Sequence, residues 1–475
     1  MNRLDRYRRL LSPGDLAQLE VAIQRPPPPA IRVNTLKIDV ESARRAWPQA
    51  RGWQVRPVPF CPAGWQITEG GGDLSRTLEH RMGQYYIQEA ASMLPAEVFA
   101  FDVERPLVLD MAASPGGKTT HLTCKINDAG LIVANDSSAD RIGALRANLR
   151  NWGAFGAAIT NFPGERFGNW LPETFDLVLL DAPCSGDSLR TAERRKTRPV
   201  SDKERGQLHH RQVRLLTSAF QALKPGGQVV YATCTLAPEE DEAVVDALLR
   251  EFPRQAEVEA VDHVLAVPAP GLIVDGERRF NAQVQQAVRL WPHLYDTSGF
   301  FAARIRKRDA VPITSQPPPA RSLEDAGYSP LPRSEQSRIS RRWLDSFDFD
   351  LEVVAERQAL TLWRRGRSVL AVPELHLAHF ADLSCVAAGM IVAEDIDGFA
   401  PSHELVSRFE KQFQGSRYRL AADLVERWLQ GYDLRNPGEV PYPAGSVILF
   451  EDDQGRYLGR GKVLRDRIRN LLPKK

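Results

Sequence analysis

The chain has 475 residues, 62 Lys+Arg against 60 Asp+Glu, and a net charge of only +2. That length predicts about three domains of roughly 150 residues each, and the charge balance excludes bulk attraction to polyanions, leaving local clusters to do any such binding. Five cysteines (61, 124, 184, 234 and 385), with no CxxC pair and no close His/Cys spacing, argue against a disulfide framework or a zinc site and for a reduced, cytoplasmic protein.

The N-terminus, MNRLDRYRRLLSPGDL, lacks the apolar core of a signal peptide, and no run reaches the ~18 apolar residues of a membrane span. A soluble, unexported monomer with no membrane partner is expected. Residues 1–95 mix amphipathic helical text with short strand-like runs, with Pro26 to Pro29 as a spacer before IRVNTLKI. They read as a small α/β module that binds RNA, ending in a helix over YYIQEAASMLPAEVF. Residues 96–308 alternate strand and helix: PLVLDM, GGKTTHLTCKI, GLIVAND, SADRIGALRANLRNWG, GAAIT, FDLVLLDAP, a long helix near 205–223, GGQVVYATCT, a helix from 238, and GFFAARIRK. This predicts a Rossmann-like α/β domain with a mainly parallel sheet of about seven strands. Residues 309–330, rich in Pro, Ser and Ala, read as a linker. Residues 331–475 predict a mixed α/β module, with helices in ELVSRFEKQF and AADLVERWLQ and a small β-barrel at the end.

The first strand of the central domain runs into Asp110 and the turn Ala112-Ala113-Ser114-Pro115-Gly116-Gly117, and Lys118 opens the next helix. Glycine permits close backbone approach, and free N–H groups at a helix start favour a carboxylate or another anion. The second strand ends in Asn135-Asp136, where an acid can hold ribose hydroxyls. A nucleoside-bearing ligand fits; the text matches neither GxGxxG nor GxxxxGK[ST].

Cys184 and Cys234 each follow a short apolar run that reads as a strand buried on both faces, so both thiols are expected at the carboxyl rim of the sheet, where α/β proteins bind ligands. Carbon 5 of cytosine is a poor nucleophile until a thiolate adds to carbon 6. A second basic group must then remove the carbon 5 proton so that the first sulfur can leave. Two converging thiols suit that division of labour, and Asp181, at the end of its strand, suits a hydrogen bond to the edge of the base.

The segments AASPGGK, DAPCSG and ATCTLAPEEDEAVV resemble the Sun/Nop-type RNA (cytosine-5) methyltransferases, as do RVNTLK, YYIQEAASMLP and RLWPHLYDTSGFFAARIRK, so the resemblance covers about residues 30–308. It implies an S-adenosylmethionine-dependent enzyme with Cys234 as nucleophile and Cys184 assisting proton removal and enzyme release. Cofactor contacts are implied at Ala112 through Lys118, at Asp136 and at Asp181. No metal is implied. The chain departs from that pattern after the third strand, where TNFPGERF offers Asn161, Pro163 and Glu165 in place of an acid for the adenine. It departs again after PCSG, where Ser188 replaces a glycine and a basic pair, Arg194-Arg195, comes late.

Nine Lys/Arg against three acids between Arg190 and Arg214, with His209 and His210, predict a phosphate-binding surface beside Cys184. Eight Lys/Arg against one acid from Arg456 to Lys475 mark the chain end, which resembles the PUA-like tail of bacterial small-subunit ribosomal RNA methyltransferases of the F type. His121 and Trp152 read as ordinary helix residues, and Cys61, Cys124 and Cys385 as packing residues. The leading expectation is methylation of an unpaired or extruded cytidine in ribosomal RNA. The alternatives are the same reaction on tRNA and, from another class, a catalytically silent RNA-binding assembly factor.

Overall fold

In the computed structural model, residues 4–190, 200–267, 269–396, 398–435 and 440–473 are described. The polypeptide packs as two units. One holds the chain up to Leu74, Tyr85–Asn148 and Ala158–Pro319; the other holds Ser75–Gln84, Leu149–Ala157 and the chain from Ala320 on.

Runs of β-branched and aliphatic residues in the first unit form one large sheet: β1 (Leu107–Asp110), β2 (Leu131–Asn135), β3 (Ala157–Thr160), β4 (Phe175–Asp181), β5 (Leu223–Thr233), β6 (Ala256–Glu259), β7 (Val288–Leu290) and β8 (Phe300–Lys307). Its order is β6-β8-β5-β4-β1-β2-β3, with β7 beside β8. β1 is parallel to β2 and β4, and β4 is parallel to β5, whereas β8 is antiparallel to β5, β6 and β7. Every residue of β1 and β2 is buried, as expected for strands covered on both faces. Helices α1 (Gly117–Lys125), α2 (Ala139–Trp152), α3 (Asp202–Ala222) and α4 (Glu242–Glu251) connect them. Strand order reverses between β1 and β4. That switch point opens a crevice at the carboxyl ends of the strands, where the loops after β1, β4 and β5 meet.

The same unit contains a four-stranded antiparallel sheet in the order Gln54–Val58, Cys61–Glu69, Ala30–Val33, Tyr85–Ile87. Trp47, Trp53, Trp65 and Tyr85 form its core. The helix expected over YYIQEAASMLPAEVF is not formed as one element: Tyr85–Ile87 is a strand, Ala90–Met93 a 3-10 turn and Leu94–Glu97 a four-residue helix. Tyr-Tyr-Ile favours a pleated, half-buried surface, and the edge of Ala30–Val33 supplies one, with Val33 opposite Tyr85 and Ile31 opposite Ile87. Pro95 lies at the start of the short helix, where its missing N–H is harmless; further inside a longer helix it would break a hydrogen bond.

The second unit has two five-stranded sheets, one between Ser329–Pro330 and Ala400–Pro401, the other built from Arg417–Arg419, Val447–Glu451, Tyr457–Val463, Arg467–Asn470 and Leu434–Arg435. Leu78, Met82 and Phe155 join Trp343, Phe347, Trp428 and Phe450 in its core. The Arg408 guanidinium lies 4.4 Å over the Phe155 ring, Arg150 pairs with Glu404 at 2.7 Å, and Ser407 Oγ donates to the Met82 carbonyl at 2.8 Å. No helix among the described residues is long and apolar enough to cross a membrane.

His376 is buried in this unit, and neither ring nitrogen has a hydrogen-bond partner among the described residues. Burial pushes its pKa from 6.5 down to about 4. The unfolded chain therefore takes up a proton that the folded chain refuses as pH falls through 6.5, and the folded state loses stability until about pH 4. His376→Leu is expected to raise unfolding free energy by about 1–2 kcal/mol at pH 7. It should also remove up to about 3 kcal/mol of the acid-dependent loss, read from urea denaturation of the variant and the parent at pH 7 and pH 4.5.

Candidate active site

The loop after β1 is drawn tight by its own backbone. Ala113 N–H donates to the Asn135 carbonyl at 2.7 Å and Gly116 N–H to the Ala113 carbonyl at 2.7 Å. Gly116 has φ +109°, a backbone conformation that favours glycine, and a Cβ there would sit tightly against Leu145 Cδ1 at 3.2 Å. Asp110, fully buried beneath the loop, accepts from Thr119 Oγ1 at 2.7 Å; burial pushes its pKa up to about 7 against that hydrogen bond. Asp136 accepts from Ser114 N–H at 3.2 Å and Ser138 N–H at 2.9 Å, and meets Arg141 at 3.3 Å. Asn135 fastens the neighbouring chain, donating to the Met111 and Phe162 carbonyls and accepting from Thr160 Oγ1. Asn161 donates to the Asp136 carbonyl at 2.6 Å, Pro163 precedes a 3-10 turn, and Glu165 turns to Arg211 at 3.3 Å.

One side chain in this region was not assigned a role from the sequence. Arg32, fully buried, donates to Gln88 Oε1 at 2.9 Å, to the Gly117 carbonyl at 3.0 Å and to Thr120 Oγ1 at 2.7 Å. The RVNTLK segment thus clamps the first turn of α1.

Parallel pairing sets Asp181 of β4 opposite Ala232 of β5, so the loops that follow leave the sheet side by side. Cys184 Sγ lies 2.8 Å from Cys234 Sγ. Cys234 is exposed and Cys184 half-buried. The hydrogen bond to Cys234, and after it burial, push the Cys184 thiol well above its usual range. The same bond pulls Cys234 down against burial and Asp181, with the Lys118 ammonium assisting. Of the two sulfurs, Cys234 is therefore the one that ionises more readily. Lys118 Nζ sits 2.7 Å from Asp181 Oδ2 and 5.6 Å over the Phe300 ring. Burial works to lower its pKa, but Asp181 and Cys234 more than reverse this and keep it protonated. Lys118, expected with the cofactor residues, thus pairs with Asp181 beside the sulfurs.

Three consecutive acids at the start of α4 hold both cysteine loops, and all three are fully buried. Glu240 accepts from Ser185 N–H at 2.8 Å, Arg205 at 2.9 Å and Gln212 at 3.1 Å. Asp241 accepts from Thr233 Oγ1 at 2.6 Å, directly before Cys234, and burial raises its pKa well above the carboxylate range. Glu242 takes Arg289 through both oxygens, and Arg289 also donates to the Leu236 carbonyl at 3.0 Å. Ser188, in the place of a glycine, is buried, with its Oγ on the Arg190 carbonyl at 2.8 Å.

The phosphate-binding surface expected over Arg190 to Arg214 needs correction. Arg190 is buried on Asp296 at 2.6 Å, and Arg205 is turned inward to Glu240. Lys203, Arg211 and Arg214 are exposed, whereas Arg194, Arg195, Lys196 and Arg198 lie outside the described residues. At the chain end, Arg456, Arg460 and Arg467 pair with Asp452, Glu394 and Asp433, and Lys474 and Lys475 lie outside the described residues. Cys61 and His121 also do more than pack. Their donor atoms and those of Glu97 lie within 4.8 Å of one another, with Lys125 Nζ on Glu97 at 2.8 Å and His121 Nε2 on Glu97 at 2.9 Å.

Residues 101–306 match the family described as 16S rRNA methyltransferase RsmB/F, and residues 3–90 match the N-terminal domain of 16S rRNA methyltransferase RsmF. Ribosomal RNA small subunit methyltransferase F of Vibrio campbellii is 34% identical over 458 residues, covering 95% of this chain and 91% of that protein. The chain belongs to the small-subunit ribosomal RNA methyltransferase F family. The Pectobacterium atrosepticum protein of the same name is also 34% identical, over 95% of this chain and 90% of its own length. A crystal structure of a methyltransferase homolog protein from Pyrococcus horikoshii superposes with TM-score 0.55 at 33% identity, covering 64% of this chain and 98% of that one. The family's fold is that of S-adenosylmethionine-dependent methyltransferases, and the cradle suits that cofactor. The first N–H groups of α1 suit an amino-acid carboxylate, Gly116 holds the positive φ of the turn, and Asp136 keeps lone pairs beyond those on Ser114 and Ser138.

The assignment of charge to Cys234 has a direct chemical test. Brief iodoacetamide treatment at pH 8 is expected to alkylate Cys234 at least about tenfold faster than Cys61 and Cys385, since thiolate fraction sets the rate. Burial raises both of the latter, Cys385 to about 12. Peptide mass spectrometry reads the order, and Lys118→Met is expected to slow Cys234 labelling alone.

Proposed function

We propose that this chain methylates carbon 5 of an unpaired cytidine in small-subunit ribosomal RNA through a covalent bond to Cys234. The observation that carries this reading is the pair of sulfurs 2.8 Å apart beside the Lys118–Asp181 ion pair. Family membership supports the rRNA substrate.

S-adenosylmethionine, held by Ala112 to Gly117 and by Asp136, supplies an electrophilic methyl group when bound. Everything else falls to the chain's own side chains. The Cys234 thiolate, favoured by the hydrogen bond from Cys184 and by Lys118, adds to carbon 6; the S–C bond forms and the ring's electron pair moves to carbon 5, which then bonds to the donated methyl group as the bond from methyl to the donor sulfur breaks. Asp181, fixed by Lys118, accepts from the base edge and stabilises the charge that develops there. With Cys234 bonded to carbon, Cys184 has lost the sulfur that held its proton, and it releases that proton to solvent. As a thiolate it then takes the carbon 5 proton; the carbon 5–carbon 6 double bond re-forms and the Cys234–carbon bond breaks, returning the electron pair to sulfur. The N-terminal module and the PUA-like tail, with Lys462, Arg465 and Arg469 still unburied, are read as the surfaces that recognise RNA shape.

Cys234→Ala is expected to lower methyl transfer at least about 10³-fold. Cys184→Ala is expected to accumulate an RNA adduct that survives denaturing electrophoresis and is absent from the double variant; no adduct in Cys184→Ala would remove the covalent route. Methyl transfer to purified small subunits, naked rRNA and tRNA, followed by bisulfite mapping, tests the substrate. Incorporation into rRNA as 5-methylcytidine is expected, and incorporation confined to tRNA would overturn the rRNA assignment.

A further inference from the structure

Beyond the reactive crevice, a groove of about 690 Å³ opens between α3, α4 and a small hairpin whose strands are Val274–Asp275 and Arg278–Arg279. Its walls carry Arg205, His209, His210, Arg250, Arg278 and Arg279, and Phe280 supplies an aromatic face. Three acids, Asp202, Glu239 and Asp246, also line it. Asp246 accepts from Arg250 at 2.7 Å and from Asn281 N–H at 2.7 Å, while the backbone carbonyl of Glu239 holds His209 Nδ1 at 2.8 Å. Arg278 and Arg279 are exposed, and neither meets a carboxylate among the described residues. Two-residue strands contribute little stability of their own. This hairpin is held by Phe280 N–H on the Ile273 carbonyl at 3.0 Å and by Arg250 on the Arg279 carbonyl at 3.3 Å. The fold has thus anchored a short projection that presents two exposed arginines, although Asp275 and Glu277 lie on the same hairpin without an ion pair to either among the described residues.

The groove is joined to the chemistry by two hydrogen bonds. Arg205, in its wall, donates to Glu240 at 2.9 Å, and Glu240 accepts from the N–H of Ser185, the residue after Cys184, at 2.8 Å. We propose that this groove binds the single-stranded RNA flanking the target cytidine, with Arg278 and Arg279 on phosphates and Phe280 against a base. The proposal rests on the RNA methyltransferase reading above. A base that must leave its stack before a sulfur can reach carbon 6 brings unpaired neighbours with it, and unpaired nucleotides offer what this groove matches: closely spaced phosphates for arginine and open π-faces for an aromatic ring. An acidic protein segment would satisfy the arginines but leave the aromatic wall and the closeness to Cys184 without a purpose.

The test uses the full chain and a fluorescent single-stranded rRNA fragment, with binding and methyl transfer measured separately. Arg278→Ala/Arg279→Ala is expected to weaken binding about tenfold and to lower the slope of log affinity against log salt by about 1.4, the loss of two single-strand phosphate contacts. Turnover at saturating RNA and thermal stability should stay at parental values, and Arg278→Lys/Arg279→Lys should restore the slope. Phe280→Ala is expected to weaken binding with the slope unchanged. Unaltered binding and slope in the double alanine variant would overturn the groove while parental methylation leaves the enzymatic reading intact. A parental chain that binds the fragment but methylates no rRNA would overturn the enzymatic reading instead. Loss of activity on assembled subunits alone, with naked RNA bound normally, would assign the groove to a protein and overturn the proposal.

Discussion

Glu240, Asp241 and Glu242 are adjacent in sequence and wholly withdrawn from water, and the geometry of both reactive loops depends on that burial. Taking three acids out of solvent is costly unless each is hydrogen-bonded or, like Asp241, driven toward its neutral form. Here Glu240 finds Ser185 N–H and Arg205, Asp241 finds Thr233, and Glu242 finds Arg289. Those donors flank Cys184 on one side and Cys234 on the other. One helix start therefore registers two loops that emerge from different strands, and neither loop can shift without stranding a buried oxygen.

Given that registration, the electrostatics follow from proximity. Two thiols in contact do not both ionise readily, and the hydrogen bond between them favours charge on Cys234, with Lys118 adding to that preference. Asp181 opposes a thiolate at Cys234, and its pairing with Lys118 brings an ammonium close enough to offset part of that repulsion. The clamp of Arg32 on Gly117 links the N-terminal sheet to the turn that precedes Lys118, so the outer strands support the position of that ammonium from behind.

The parts of this arrangement legible in the sequence were those with short-range signatures. Buried strand runs, the Gly116-Gly117 turn and the two cysteines after strands predicted a Rossmann-like sheet with thiols at its rim. Partnership between distant residues was not legible. Arg190 and Arg205 look identical to Lys203 and Arg211 in a basic run, yet the former pair turn inward onto Asp296 and Glu240 while the latter lie exposed, Arg211 beside Glu165. Nothing local in Glu240 to Glu242 distinguishes an acid awaiting Arg289 from one awaiting water, so their burial carried no signal in the sequence. Tyr85–Ile87 became a strand because Ala30–Val33, more than fifty positions upstream, offered a free edge.

The second unit draws Leu78, Met82 and Phe155 into a core otherwise made after residue 320. The proline-rich stretch around Pro319 is therefore a seam in the chain but not in the packing. A polypeptide severed there would yield a tail fragment with holes where those three side chains belong. The tail is consequently no detachable cassette: transplanting it onto another enzyme would require carrying along two short pieces of the host, and swapping it between relatives would fail wherever those pieces differ in volume.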